Sequence, residues 1–245
     1  MAIRGSVSKG YSPPTLAEIR SSDNLINTDL EAETGINYEV GIRLEVDNRK
    51  FIADVSLYNY VMKNGIVRQL RDSGAEFYVN AGQIRQKGIE FSLWAYLLPW
   101  QNNRMIRELN WQSAASYQYY RFGSYQTDDN NFSGNKVTAV PEWVWTNTIL
   151  LTLAKDIRLN ISHNYTSAMP LNDANSVFSD SFHLVQLKAV WTWSINPTKQ
   201  MQFFWGIDNV LNEKYSLGND INAFGNRYFN PAPTRNYYGG LKILF

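Results

Sequence analysis

Alternation of period two dominates this chain and limits what it can fold into. From Ile36 the apolar line is Ile36, Tyr38, Val40, Ile42, Leu44 and Val46, and the residues between are Asn37, Glu39, Gly41, Arg43 and Glu45. A strand sends successive side chains to opposite faces, so this segment is a strand with one apolar and one polar face. Helical periodicity is nearly absent. The same two-faced pattern returns after the turn Asp47-Asn48-Arg49-Lys50, from about Phe51 to Met62, and again at Ile89, Phe91, Leu93 and Ala95. It continues through Leu109 to Phe122, Pro141 to Leu153, Ile157 to Tyr165, and Val185 to Ile195. A last hairpin carries Phe203, Trp205 and Ile207, then Tyr237, Gly239, Leu241, Ile243 and Phe245. Asn147 interrupts the apolar line of its strand. With the strand-like first residues, ten strands are expected.

The connections alternate in length. Those near 47–50, 155–156 and 196–200 are short, and the one near 97–108 is somewhat longer. The others, near 10–33, 63–79, 123–140, 169–182 and 217–232, are long and rich in Asn, Asp, Ser and Gly.

Two architectures accept long two-faced antiparallel strands. A soluble sandwich, as in a carbohydrate-binding module, buries its apolar faces against each other. A membrane barrel turns the apolar face to lipid and the polar face to its lumen. Three features favour the barrel. The strands exceed the usual five or six residues of globular sheets and suffice for the roughly 9–11 that cross a bilayer. Short turns on one side and long loops on the other are the asymmetry of outer-membrane barrels. Tyr117, Tyr119, Trp143, Trp145, Trp191 and Trp193 lie near strand ends, where interfacial girdles belong. Solubility without detergent would separate the two.

Composition removes other classes. Aromatic residues are 14% of the chain, an excess that a disordered chain lacks. Lys and Arg number 23 against 22 Asp and Glu, so no nucleic-acid partner is expected. There is no cysteine, which excludes disulfides, thiolate metal sites and cysteine nucleophiles. No apolar run is long enough for a membrane helix. The residues after Met1, AIRGSVSKGY, hold no signal-peptide core.

Several phrases then resemble one family in its order. Gly10-Tyr11-Ser12-Pro13-Pro14-Thr15-Leu16-Ala17-Glu18 resembles the sequence after a mid-barrel strand of TonB-dependent outer-membrane receptors. Glu33 with Tyr38-Glu39-Val40-Gly41 is similar to that family's E-x-x-x-x-Y-E-x-G. Tyr58-Asn59-Tyr60 with Ile66-Val67 resembles its Y-x-Y…I-V stretch, and Asn80-Ala81-Gly82 with Gly88-Ile89-Glu90 its N-A-G…G-x-E. Val140-Pro141, Asn209-Val210-Leu211-Asn212-Glu213-Lys214-Tyr215 and the stretch Arg235 to Phe245 complete the series. Gly218-Asn219-Asp220-Ile221-Asn222-Ala223 looks most like receptors of the Bacteroidetes type.

The resemblance implies an all-β fold: an antiparallel transmembrane barrel in the outer membrane, of which residues 1–245 supply about ten strands at the C-terminal end of a twenty-two-strand barrel. It implies uptake of an iron–siderophore or similar chelate, with no enzyme activity and no cofactor. The partners it implies are outer-membrane lipid and lipopolysaccharide, the barrel assembly machinery, and TonB–ExbB–ExbD acting through a plug domain. Neither a plug nor a TonB box is present, so a fragment is expected, either a truncated reading frame or an expressed piece.

Residue roles follow as expectations of the resemblance. Glu39, Arg43, Glu90, Arg158 and Lys188, with Glu45 and Asn160, are expected to face the lumen and the plug. On the lipid side, Arg or Lys at mid-depth would cost about 2–4 kcal/mol. Arg71, Tyr120, Phe122, Tyr125, Arg227, Tyr228 and Phe229 are the ligand candidates. Arg offers planar donors to an anionic chelate, and aromatic faces suit catecholate or corrin-like rings. Tyr237, Leu241, Ile243 and the terminal Phe245 are expected to serve as the assembly signal. No metal site is expected: His163 is read as an interfacial ring and Asp128-Asp129 as a solvated loop tip. The alternative is a stand-alone ten-strand barrel enzyme of the omptin protease type. It would need carboxylates and a histidine at the rim, from His163, His183, Asp128, Asp129, Asp173 and Asp180, but no paired spacing is evident.

Overall fold

The structure, a computed structural model, describes residues 1–245 except 49, 72, 128 and 129. Asp128-Asp129, read as a loop tip, therefore lies outside the described residues. In chain order the strands are β1 (Ala2–Ser12), β2 (Glu33–Val46), β3 (Phe51–Lys63), β4 (Ile66–Leu70), β5 (Glu76–Asn80) and β6 (Gln83–Leu98). There follow β7 (Ile106–Ser124), β8 (Trp143–Leu153), β9 (Ile157–Thr166), β10 (Phe182–Asn196), β11 (Lys199–Asp208) and β12 (Asn236–Leu244). Ten of them form one antiparallel sheet in the order β1-β2-β3-β6-β7-β8-β9-β10-β11-β12, with β1 and β12 as its two edges.

The ten strands of the sheet are the ten expected from alternation. One expectation needs correction: the loop near 63–79 is not irregular. Its Val67, Phe77 and Val79 favour extended backbone, and β4 and β5 pair over Ile66↔Asn80 to Leu70↔Glu76 as a separate hairpin. The loop near 10–33 also holds a single helical turn, Leu16–Ile19, capped by Thr15 and Glu18.

Register keeps the two faces separate across the sheet. One cross-strand row runs Ile3, Ile42, Val55, Phe91, Ala115, Trp145, Tyr165 and His183. A slip of one residue would turn every one of these to the other face. The tight β2–β3 turn keeps this register, with Asp47 and Asn48 both at φ 51°. Asp and Asn tolerate this left-handed conformation best among residues with a Cβ.

Among the described residues, nothing covers the apolar face. Val40, Ile42, Leu57, Ile89, Trp145, Trp191 and Trp205 all stay exposed. A sandwich would bury them against a second sheet, and among the described residues the only other sheet is the β4–β5 hairpin. An uncovered apolar surface of ten long strands fits lipid as its solvent.

On β7 to β10, several polar groups on the apolar face satisfy one another. The Trp111 indole donates to Asn147 Oδ1 at 3.4 Å, and Asn147 Nδ2 lies 3.3 Å from His163 Nδ1. His163 Nε2 lies 3.0 Å from His183 Nδ1, and the Trp145 indole donates to Ser113 at 2.9 Å. Asn147, the exception in its strand, is thus one link of a chain across β7 to β10.

Candidate functional site

The polar face carries two clusters of charge. On the first, Arg4 makes a two-pronged contact with Asp54, at 2.8 and 2.6 Å, and also donates to Ser56. Glu39 stands 3.8 Å from the same guanidinium. With Glu90, Ser92, Ser116 and Thr146 these residues line a cavity of about 370 Å³. The second cluster joins Arg158, Asn160, Lys188, Glu108, Asn110 and Gln202 around about 430 Å³. Arg43 pairs with Glu45 at 3.0 Å. Glu39, Arg43, Glu90, Arg158 and Lys188 therefore all lie on the polar face. Arg4 belongs with them, although the residue list drawn from sequence omits it. Its signal is the alternation of Ile3 and Val7 with Arg4, Ser6 and Ser8.

Tyrosines continue this face towards the long loops. Tyr58 pairs with Gly88 across β3 and β6. Lacking a Cβ, Gly88 lets the Tyr58 ring lie flat over its backbone: a Cβ there would sit 2.2 Å from the Tyr58 hydroxyl. The ring thereby crosses β6 and meets the Tyr120 hydroxyl on β7 at 2.8 Å.

At the loop end of the sheet three loops meet at one carboxylate, and the β4–β5 hairpin joins them through Arg68 and Gln69. Asp173, 5% exposed, accepts from the Tyr125 hydroxyl at 3.0 Å, from Thr138 Oγ1 at 2.5 Å and from Asn222 Nδ2 at 3.2 Å. Asn222 Oδ1 in turn accepts the Asp173 backbone N–H at 3.0 Å, and its amide donates to the Arg68 carbonyl at 3.0 Å. Gln69 donates to the Tyr125 hydroxyl, and Arg68 donates to the Ile221 carbonyl. The β4–β5 hairpin and the loops after β7, β9 and β11 are thereby fastened into one cap. No cation pairs with Asp173 among the described residues. Its oxygens are met by hydrogen-bond donors instead. Burial, and then the neighbouring Asp173 charge, push the Tyr125 phenol well above its ordinary pKa.

A small apolar core underlies the cap. Ala81, Ile84, Phe122 and Tyr125 are buried together, with Met62, Val67, Phe132 and Val137 against them. Phe122 and Tyr125 are 1% and 2% exposed, with ring centroids 4.9 Å apart, so this conformation gives neither ring a free face for a ligand. Tyr120 is held by Tyr58. Arg71 pairs with Asp23 at 3.3 Å and lies 4.7 Å over Phe77. Tyr228 is buried beside a cavity of about 280 Å³ that Gln69, Thr127, Asn130, Asn172 and Asp173 also line. Phe229 is exposed and lines a second cavity of about 240 Å³ with Lys214 and Tyr215. Arg227 is exposed. The seven ligand candidates thus do not converge on one spot: Tyr228 and Phe229 meet edge to face at 6.5 Å, and the two arginines stand on separate loops. Gln69 and Asn222, which organise the cap with Asp173, carry no signal in a sequence where Asn and Asp crowd every loop, and Asp173 stands out there only as a rim carboxylate of the omptin alternative.

Among the described residues, which leave out the candidates Asp128 and Asp129, His163 and His183 sit on the apolar face and bond each other, with no carboxylate among their hydrogen-bond partners.

A family model described as TonB dependent receptor-like, beta-barrel matches residues 1–210. This chain belongs to that family. The barrel lies in the outer membrane, so the apolar face meets lipid and the polar face lines the lumen. Solved structures agree on the fold. The siderophore receptor PiuA from Acinetobacter baumannii superposes with a TM-score of 0.71 at 16% identity, over 99% of this chain and 33% of that one. The ferric yersiniabactin uptake receptor FyuA from Yersinia pestis gives 0.71 and 16%, over 99% and 34%. The copper transporter OprC gives 0.72 and 14%, over 99% and 36%. The chain thus spans about a third of the receptors it matches.

Proposed function

We propose that this chain is the C-terminal barrel part of a receptor that imports an iron–siderophore or similar metal chelate, driven by TonB–ExbB–ExbD through a plug. The observation that carries this reading is the pairing of a charged lumen face with a hydrogen-bonded cap of long loops at one end of the sheet. A plug needs charged and hydrogen-bonding groups to dock against, and Arg4, Glu39, Glu90, Arg158 and Lys188 offer them in two clusters. A chelate needs a site above the lumen, and the cavities under the cap present Tyr228 and Phe229. Arg227 is placed beside them in sequence and is free to meet an anionic ligand. Phe122 and Tyr125 support the site by packing the cap. Arg71 and Tyr120 act through their own partners, Asp23 and Tyr58.

The edges of the sheet bear on the same reading. Unpaired backbone on β1 and β12 is not tolerated in lipid, so further strands of the receptor would complete the barrel between them. Growth under iron limitation tests the function. The receptor should support uptake of one class of radioiron-labelled chelate, and Arg227→Ala with Tyr228→Ala should raise the half-saturating concentration at least about tenfold, which corresponds to the loss of about 1.4 kcal/mol of binding. Uptake unaffected by deleting the receptor would contradict the proposal.

A further inference from the structure

The hydrogen-bond chain across β7 to β10 has a direction. An indole nitrogen can only donate, so Trp111 fixes the Asn147 oxygen on its own side, at 3.4 Å. The Asn147 amide nitrogen therefore faces His163 Nδ1, at 3.3 Å, and donates to it. A neutral imidazole has one donor and one acceptor nitrogen. The His163 hydrogen then sits on Nε2 and is donated to His183 Nδ1 at 3.0 Å. By the same logic the His183 hydrogen sits on its own Nε2. A second hydrogen on either ring would set donor against donor, so the chain holds both rings neutral.

The chain ends in an unused donor. His183 is exposed, and its Nε2 has no hydrogen-bond partner among the described residues. Tyr165 stands directly opposite it in register. The two rings lie 4.6 Å apart, and the Tyr165 hydroxyl is likewise without a hydrogen bond among the described residues. Tyr165 is the last residue but one of β9 and His183 the second of β10, so the pair stands at the loop end of the sheet. A free donor and a free acceptor are thus side by side on the face that meets lipid. Hydrocarbon satisfies neither, and leaving them bare there is costly.

Charge and symmetry select what meets them. Towards the loops, the lipid face of β8 to β12 carries no Lys, Arg, Asp or Glu among the described residues. At the same end, that face of β1 to β6 carries Lys9, Arg85 and Lys87, which pair with no carboxylate among the described residues. Two copies meeting through β1 to β6 would set like charges together, and two copies meeting through β9 and β10 would not. Copies in one membrane share their orientation, so a twofold axis between them runs along the membrane normal and keeps each residue at its own depth. A donor beside an acceptor then meets the acceptor and the donor of the other copy. That is the self-complementarity an isologous contact requires.

We propose that the loop-side lipid face of β9 and β10 is a self-association surface. Two copies of the receptor pair through it, His183 Nε2 of each donating to the Tyr165 hydroxyl of the other. Association within lipid rests on packing and hydrogen bonds, because apolar surface gains little by leaving lipid. The exposed rings of Trp143 and Trp145 supply packing beside the pair, Trp145 standing opposite Tyr165 on β8. The surface lies outside the lumen, and pairing does not depend on which chelate is imported.

The test uses the whole receptor, labelled with one fluorophore per copy, in lipid vesicles over a range of protein-to-lipid ratios. Photobleaching steps count the copies in each spot. The wild type should pair as the ratio rises. Tyr165→Phe, which removes one oxygen and keeps the ring, should raise the half-pairing ratio about fivefold or more, the scale of two hydrogen bonds within a membrane. His183→Leu should do the same, and Lys155→Gln, at a short turn, should pair like the wild type. The decisive arm mixes the two variants in two colours. A pair of His183→Leu copies, or of Tyr165→Phe copies, keeps neither bond, whereas a mixed pair keeps one. Two-colour spots should therefore exceed the random share by about twofold. Should His183→Leu fail to fold, Tyr165→Phe mixed with the wild type keeps the test: that pair retains one bond and should form with a strength between those of the two unmixed pairs. A wild type that stays single at every ratio would overturn the proposal. So would random mixing of the colours, or variants that pair as well as the wild type.

Discussion

The Tyr125 hydroxyl donates to the Asp173 carboxylate at 3.0 Å, and this bond joins the loop after β7 to the loop after β9. Asp173 is the point where the extracellular cap closes, because Thr138 and Asn222 converge on the same two oxygens. A buried carboxylate that loses its charge, or donors that lose their acceptor, cost about 1–3 kcal/mol each. Asp173→Asn should therefore loosen the cap as a unit. Hydrogen exchange should speed up together in the β4–β5 hairpin and in the loops around 130–138 and 217–229, by roughly tenfold or more. Exchange rising only in the 169–178 loop would mean that the segments open independently.

Glu142 gives the cap a dependence on acid. Burial pushes its pKa up, but hydrogen bonds from Arg121 and Lys136 outweigh this and hold it below the ordinary 4.5. A lowered folded pKa means that its stabilisation is present above about pH 4.5 and is lost as the pH falls through the folded value. Protease nicking of the 125–142 loop should rise as the pH drops below about 4.5. Glu142→Gln should show the higher nicking already at pH 7 and little further change on acidification. A wild type indifferent to acid would contradict the ion-pair account.

Gly88 is required by the ring of Tyr58. A Cβ there collides with the ring, the Tyr58 hydroxyl and the Tyr117 carbonyl. Overfilling a packed site costs about 1–3 kcal/mol. Gly88→Val should lower the unfolding temperature of the receptor, and Tyr58→Ala in the same chain should restore much of the loss. Absence of rescue would mean that the cost comes from the backbone contact instead.

The terminal strand carries Tyr237, Leu241 and Ile243 on the lipid face, with Phe245 as the final residue. If the assembly machinery reads this end, Phe245→Ser in the receptor should cut outer-membrane levels several-fold without changing transcript. Unchanged surface levels would leave Phe245 with lipid contact alone.

Much of this fold is legible because a sheet in lipid needs strict alternation. The strands of the main sheet announce their faces, and the lumen positions of Arg158 and Lys188 follow from parity alone. The cap is not legible in the same way. β4 and β5 are only five residues each, too short for alternation to distinguish from a loop with apolar residues. Asp173, Asn222 and Gln69 are chosen by the meeting of four loops distant in sequence, and no local pattern records that meeting. In sequence, Phe122 and Tyr125 read as aromatic rings near a rim. Parity puts Phe122 on the inner face, and only the structure shows that the hairpin covers it.

The central claim is that one face of this sheet meets lipid and the other a wet lumen, and β9 tests it most directly. Ile157, Leu159 and Ile161 lie on the apolar face, and Arg158, Asn160 and Ser162 on the polar one. The chain contains no cysteine, so single cysteines can be read without background. A small water-soluble maleimide, applied to the receptor in membranes with its plug displaced, should label Asn160→Cys and Ser162→Cys. Leu159→Cys and Ile161→Cys should label at least about tenfold more slowly, because hydrocarbon excludes both the reagent and the thiolate. Equal labelling at all four positions, or faster labelling at Leu159→Cys and Ile161→Cys, would contradict the account.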